Sequence, residues 1–241
     1  MPPSFEKIRK TPAYRALAEA VAEQILDGRL REGDPVPTEA RLCEMFGVNR
    51  STVREGIRAL EQAKLIRRES ARRLVVSRPS TQDVAQQFGR ALVLQEITFD
   101  ELWESMLVLE PVMARLAAGR STPELAARLE DNLRRTEDAV ARSAPIVELD
   151  IEFHGLIAEM SGNRALGLAR DPISRLFYPA AQRVNPKLPI AATRVIGAHR
   201  AIVRAVTDGD AAQAESWMTK HIVDFRQGLE RAGVDLKSVV R

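Results

Sequence analysis

Two short amphipathic segments separated by one glycine, Gly47, constrain the fold of this chain more than any other feature. The first segment begins at Thr38, whose hydroxyl can cap the free amides of a first helical turn, and continues with apolar residues at helical spacing: Leu42, Met45 and Phe46. Glycine tolerates the left-handed conformation that ends many helices, so Gly47 should stop this segment. The pattern predicts two short helices joined by a tight turn.

The second segment predicts a helix with one buried face and one basic face. It begins at Asn49, a residue type that caps helices well, and its apolar stripe consists of Val53, Ile57 and Leu60. Three arginines lie on the opposite side at spacings of four residues, so their side chains project together: Arg50, Arg54 and Arg58. Guanidinium groups displayed in this way suit the major groove of DNA, where they pair with guanine or with phosphate oxygens.

A basic stretch follows, RRESARRLVVS, in which Leu74 and Val76 alternate with their neighbours as in a half-buried strand. Its arginines are available for phosphates or for the minor groove: Arg67, Arg68, Arg72 and Arg73. A helix pair followed by such a strand is the outline of a winged helix-turn-helix. The sequence therefore indicates DNA binding.

The excess of positive over negative charge is confined to this first part of the chain. Residues 1–80 hold 16 Lys and Arg against 11 Asp and Glu, whereas residues 81–241 hold 20 against 22. A row of arginines on an isolated helix is more often a solvated face. An excess restricted to the helix pair, however, is what a DNA-binding domain joined to a neutral domain needs, because phosphate neutralisation supplies most non-specific affinity.

The 241 residues are enough for two domains, and a hydrophobic content of 45% supports packed cores. Pro79 should end the basic strand, so residues 1–78 are predicted as the DNA-binding domain and residues 79–241 as a second domain. Alternating strand signals are absent beyond Pro79, and the helical segments are 82–96, 99–120, 122–142, 145–161, 164–183, 190–207 and 210–232. The expected fold class is thus mainly α: a winged helix-turn-helix followed by an all-α helical bundle.

Membrane insertion and secretion are not expected for this sequence. It has no apolar run of about eighteen residues, and its first residues are polar and charged rather than typical of a signal peptide. The single cysteine excludes an internal disulfide. A cytoplasmic location is predicted.

All three histidines of the chain fall in the predicted bundle. Asp150 and His154 are four residues apart, so they share one helix face. In an antiparallel helix pair around Gly209, His199 and His221 would lie roughly 14 and 16 Å from the turn, at nearly equal height. Three imidazoles and a carboxylate suit Zn²⁺, Ni²⁺ or Mn²⁺. Lone helical histidines are nevertheless usually structural, so spacing alone leaves this site open.

One stretch of the sequence resembles the DNA-binding domain of the GntR superfamily of bacterial transcription regulators: YRALAEAVAEQILDGRLREGDPVPTEARLCEMFGVNRSTVREGIRALEQAKLI. The remainder, with LDIEFH and GAHRAIVRAVTDGDAAQAESWMTKH, is similar to the FadR-like branch and its helical FCD domain. This resemblance implies a homodimer on a near-palindromic operator, and a divalent metal held by Asp150, His154, His199 and His221 that helps to bind an organic acid. With the wing arginines, the residues predicted to meet DNA are Thr38, Asn49, Arg50, Ser51, Thr52, Arg54, Arg72 and Arg73.

Three features of the sequence depart from the pattern of that family. Met106 stands where an arginine usually engages the carboxylate of the effector, so this wall of the effector pocket should be apolar. Glu69 to Arg73 replace a glycine-rich wing tip. Gly56 replaces a usual alanine and should cost about 1 kcal/mol of helix propensity.

The main hypothesis is a ligand-responsive transcription regulator, a repressor rather than an enzyme, whose helical domain binds metal and a small effector, with a carboxylate as the candidate class. Binding would shift helices and change the spacing of the two DNA-binding domains of a dimer. This change would alter the affinity for a double-stranded operator. One alternative is a metal-dependent enzyme with a DNA-binding appendage, although no convincing general base or nucleophile accompanies the histidines. Another is a metal-free dimerisation module.

Overall fold

The computed structural model describes residues 11–70, 73–184 and 189–240. The chain divides into two compact units between Ser80 and Thr81. The first unit contains, in chain order, α1 (Ala13–Leu26), α2 (Glu39–Phe46), α3 (Arg50–Gln62), β1 (Ile66–Ser70) and β2 (Arg73–Val76). The predicted winged helix-turn-helix is therefore confirmed.

The residues that begin α2 and α3, and the residue that ends α2, are those that the sequence indicates. The Thr38 hydroxyl accepts the amide of Arg41 at 3.3 Å, and the Asn49 side-chain oxygen accepts the amide of Thr52 at 2.9 Å. Gly47 follows α2 with φ of +62°, a left-handed conformation that glycine adopts at little cost. These local interactions fix the tight turn between the two helices.

The two strands form an antiparallel hairpin in which Ile66 lies opposite Val76 and Arg68 opposite Leu74. The expected alternation of buried and exposed residues in β2 is wrong, because Val75 is buried as well as Leu74 and Val76. The loop before α2 supplies the reason: Pro35 forms a bridge with Val75, and the Val36 amide donates to the Leu74 carbonyl at 2.9 Å. This additional extended segment pairs with the edge of β2 that β1 leaves open.

The core of the first unit explains the glycine in α3. Leu17 and Val21 of α1 pack with Val53, Ile57 and Leu60 of α3. A Cβ added at Gly56 would lie 2.7 Å from Cδ2 of Leu17 and 3.1 Å from the carbonyl oxygen of Tyr14. Glycine at position 56 therefore permits the close approach of α1. The cost is a lower helix propensity at this position of α3.

The second unit is built from helices joined by short connections in its described residues, as predicted. Its helices are α4 (Thr81–Leu94), α5 (Phe99–Ala118), α6 (Pro123–Ala141), α7 (Val147–Met160), α8 (Arg164–Val184), α9 (Pro189–Thr207) and α10 (Ala211–Arg231). Pro111 lies inside α5, which continues as one helix beyond it. No helix in the described part of the chain is long and apolar enough to span a membrane.

The segment after α10 returns to the start of α5. The amides of Phe99 and Asp100 donate to the carbonyls of Ser238 and Leu236, and the Val240 amide donates to the Ile97 carbonyl at 2.9 Å. α5 itself begins with a capping box, in which Thr98 and Glu101 exchange hydrogen bonds. The chain end is thus joined to the first turn of α5.

Candidate DNA interface and candidate metal centre

The predicted DNA-reading residues of α3 lie at the surface of the first unit. Arg50, Ser51 and Arg54 are exposed, and Thr52 is half-buried. Two of the residues predicted to contact DNA, Thr38 and Asn49, act as helix caps in the structure. The side-chain oxygen of Asn49 also accepts a hydrogen bond from the Ser51 hydroxyl at 2.7 Å. The amide nitrogen of Asn49 remains as its group for an external partner.

The arginines of α3 differ from several other arginines of this unit. Arg41 pairs with Glu44 at 2.9 Å, and Arg29 pairs with Asp27 at 2.5 Å. Arg50, Arg54 and Arg58 are exposed and form no hydrogen bond or ion pair with another described residue. Their guanidinium groups share one face and remain available for phosphates or base edges.

The predicted wing is only partly covered by the structure. Arg73 is exposed and pairs with Glu69 at 3.0 Å, and this contact must compete with any phosphate contact. Arg68 lies 3.5 Å from Glu61, and Arg67 is exposed. Arg72, also predicted to meet DNA, lies outside the described residues.

The second unit brings together the four residues predicted as metal ligands. Asp150 and His154 come from α7, His199 from α9 and His221 from α10, and one potential ligand atom of each lies within 4.8 Å of the others. Oδ1 of Asp150 is 3.2 Å from Nε2 of His199 and 3.8 Å from Nε2 of His221. The Nε2 atoms of His154 and His221 are 3.1 Å apart.

The donor set fits a divalent ion. Oδ1 of Asp150 and both ring nitrogens of His199 are buried without a hydrogen-bond partner among the described residues, although Asp150 and His199 are close. Unsatisfied buried polar atoms are costly and need an explanation. Ligand atoms about 2.1 Å from a common ion lie about 3 to 4 Å apart, which agrees with the three distances above.

A second layer of charge, which the sequence analysis missed, supports His154. The Glu110 carboxylate of α5 is 0% exposed, and its Oε2 is 2.9 Å from Nδ1 of His154. Its Oε1 accepts Nε of Arg170, in α8, at 2.7 Å. If Nδ1 of His154 donates to Glu110, the lone pair of His154 is on Nε2, the atom that faces the other ligands.

Burial and neighbouring charges shift the pKa values in this cluster. Burial alone would raise the pKa of Glu110, but His154 and Arg170 outweigh it and lower that pKa to about 2. Burial likewise opposes a charge on His154, yet Glu110 raises its pKa. Burial and the two other imidazoles lower the pKa of His221 to about 3. His221 is consequently neutral near pH 7, as a metal ligand must be.

A cavity of about 340 Å³ adjoins the His–Asp centre. Asp150, His154 and His221 line it on one side. Met106 lines it as predicted, and so does the buried Arg170. The volume is that of a small-molecule site, and three of the four residues of the centre border it.

The first unit is a winged helix-turn-helix whose arginine face forms no ion pair with other described residues. The second unit is helical and holds a His–Asp centre beside a cavity. Together these features define a DNA-binding transcription regulator. The sequence profile of bacterial regulatory proteins, gntR family, matches residues 13–76, and that of the FCD domain matches residues 101–224. The chain belongs to the GntR family of bacterial transcription regulators and carries an FCD domain. It is a regulator and not an enzyme.

Individual relatives extend along most of the chain. The HTH-type transcriptional repressor NanR of Cronobacter sakazakii is 28% identical over 89% of this chain and 85% of its own length. The uncharacterized HTH-type transcriptional regulator Rv0494 of Mycobacterium tuberculosis is 32% identical over 86% and 85%. The solved structure of a Streptococcus agalactiae GntR protein has a TM-score of 0.68 at 28% identity, and the match covers 89% of this chain and 99% of that one.

Proposed function

We propose that this protein is a ligand-responsive repressor, in which residues 1–78 bind a double-stranded operator and residues 79–241 bind a divalent metal and a small effector and form a homodimer. The effector alters operator affinity, and the candidate class is a carboxylate. The supporting observation is the coexistence of an unpaired arginine face on α3 with a buried His–Asp centre beside a cavity. A regulator of this kind acts on DNA in the bacterial cytoplasm.

The DNA proposal is supported by the contrast between Arg54 and Arg41. Both are exposed arginines of the first unit, but Arg41 is paired with Glu44 whereas Arg54 is unpaired among the described residues. A phosphate or guanine contact by Arg54 therefore displaces water and counterions without breaking an internal ion pair.

The experiment compares Arg54→Ala with Arg41→Ala on a duplex that the full-length protein selects from a random pool. Loss of a base contact should weaken binding by about tenfold or more, and loss of a phosphate contact should reduce the salt slope by about one. Arg41→Ala should bind nearly as the parent protein does. Equal affinity and equal salt slope for Arg54→Ala and the parent protein would contradict the assignment of α3 to the groove.

The metal proposal is supported by the orphaned donor atoms of Asp150 and His199. When bound, a divalent ion such as Zn²⁺, Ni²⁺ or Mn²⁺ supplies a positive centre that anionic oxygens of an effector can approach. Asp150 contributes the negative charge of the donor set, and Glu110 holds His154 in orientation. Phe153 stacks on the His199 ring, with centroids 3.6 Å apart, and restricts its rotation.

Ion content measured after acid digestion tests the metal proposal. The full-length protein should carry about one divalent ion per chain, whereas His199→Ala and His221→Ala should lose most of it. Arg200→Ala is the control, since this exposed neighbour of His199 pairs only with Glu137 among the described residues. Retention of the ion in both histidine variants would exclude this centre, and absence of ion from the parent protein would favour a metal-free dimerisation module.

A further inference from the structure

One charged side chain of the cavity has hydrogen-bonding capacity that the protein leaves unused. Arg170 is 4% exposed, lines the cavity, and donates through Nε to Glu110 at 2.7 Å. A guanidinium has five N–H groups arranged as a rigid fork. Among the described residues, no hydrogen bond involves the terminal nitrogens of Arg170, and four N–H groups therefore remain for a partner.

Glu110 cannot supply this second partner. Its Oε1 accepts Nε of Arg170, while its Oε2 is engaged with Nδ1 of His154 at 2.9 Å. The edge of the guanidinium formed by the two terminal nitrogens matches the two oxygens of a carboxylate. The terminal nitrogens are not among the fully buried unpaired atoms of the described residues, so this edge of an otherwise buried side chain can be reached by water or by an anion.

The position of Arg170 indicates how an anion would lie in the cavity. Glu110 bridges Arg170 and His154, so a carboxylate on the unused edge lies beside the His–Asp centre. Most of the remaining lining is apolar, and includes Met106, Val147, Phe177, Ile222 and Phe225. Such walls favour a ligand with an apolar body. The lining also includes a minority of polar residues: Ser174, Tyr178, Arg194, Asp224 and Arg231.

We infer that Arg170 is the specificity-determining residue of this cavity and that the effector is a carboxylate with an apolar body. The guanidinium comes from α8, whereas α5 presents Met106. The inference rests on the proposed function, because it assumes that the cavity receives the regulatory ligand. It adds the residue that selects the proposed carboxylate and the apolar character of the rest of the ligand.

Calorimetric titration of the full-length protein with three probes tests the inference. Hexanoate should bind at least tenfold more tightly than hexanamide, which has the same shape without the charge. It should also bind at least tenfold more tightly than acetate, which lacks the apolar body. Equal affinity for hexanoate and hexanamide would overturn the role of the guanidinium, and equal affinity for hexanoate and acetate would overturn the role of the apolar walls.

Two substitutions then assign the preference to Arg170. Arg170→Met should reduce the hexanoate preference about tenfold or more, whereas Arg194→Met, at another cavity residue that lies 3.9 Å from Asp224, should preserve it. If loss of the cation beside Glu110 prevents Arg170→Met from folding, Arg170→Lys decides, because it keeps the charge without the fork. A preference unchanged in the folded variant would overturn the inference.

Metal content and operator binding separate this inference from the proposed function. If hexanoate binding is absent or independent of Arg170 while chelation still changes affinity for the selected duplex, the inference fails and the repressor proposal stands. If the protein binds no DNA duplex at low ionic strength, the proposed function itself fails, whatever the calorimetric titration shows.

Discussion

Replacement of Glu110 by glutamine should weaken metal binding although Glu110 is not itself a proposed ligand. Its carboxylate serves two donors, Nδ1 of His154 at 2.9 Å and Nε of Arg170 at 2.7 Å. A glutamine amide has one oxygen and can accept from only one of them. If that oxygen faces Arg170, the amide nitrogen donates to Nδ1 of His154 and the ring proton moves to Nε2, the atom that faces the centre.

The expected loss is about 10- to 100-fold in metal affinity, the usual effect of removing a partner behind a ligating histidine. This corresponds to about 1.4 to 2.7 kcal/mol. Competition for Zn²⁺ against a chromophoric chelator measures it, with circular dichroism as the check on folding. Glu152→Gln is the matched control, since it removes the same charge from an exposed pair with Arg135. If both variants bind Zn²⁺ as the parent protein does, the reasoning about His154 is refuted.

Three further predictions concern stability and pH. Gly56→Ala should destabilise the first unit by about 1 kcal/mol in denaturant unfolding, because overpacking against α1 exceeds the gain in helix propensity. Gly89→Ala is the control and should not destabilise the protein, because the space around its Cβ is open. Asn49→Ala should cost about 1 kcal/mol in the same assay and Asn49→Asp much less, because aspartate also caps helices. Metal affinity should fall by up to about tenfold per pH unit below the raised pKa of His154, since the ion then displaces a proton; equal affinities at pH 8 and pH 6 would contradict this.

The elements that follow local rules were predictable from the sequence. The caps at Thr38 and Asn49 and the stop at Gly47 depend on neighbours within a few residues, and all three are confirmed. The spacing of His199 and His221 around Gly209 also predicted their meeting, because helical rise fixes their heights. Whether these residues bind metal, and whether Arg54 meets DNA, stay predictions.

Features that depend on distant segments were not predictable by spacing. Val75 is buried, and it pairs with Pro35, which lies forty residues earlier. Arg170 reaches Glu110 across sixty residues, and nothing in its own surroundings predicts this contact. Glu110 did leave a signal, since a glutamate within the apolar run LVLEPVM needs a buried partner. The sequence could not say which cation that partner is.

The return of residues 236–240 to the first turn of α5 has a practical consequence for trimmed or fused versions of the protein. Removal of this segment would release the amides of Phe99 and Asp100 from their acceptors and expose the apolar core residues against which Leu236 and Val240 pack. Met106 lies about 10 Å along the same helix from Phe99. A fluorescent reporter attached rigidly behind the tail would therefore strain the wall of the ligand cavity, whereas a glycine-rich spacer would isolate it from that strain.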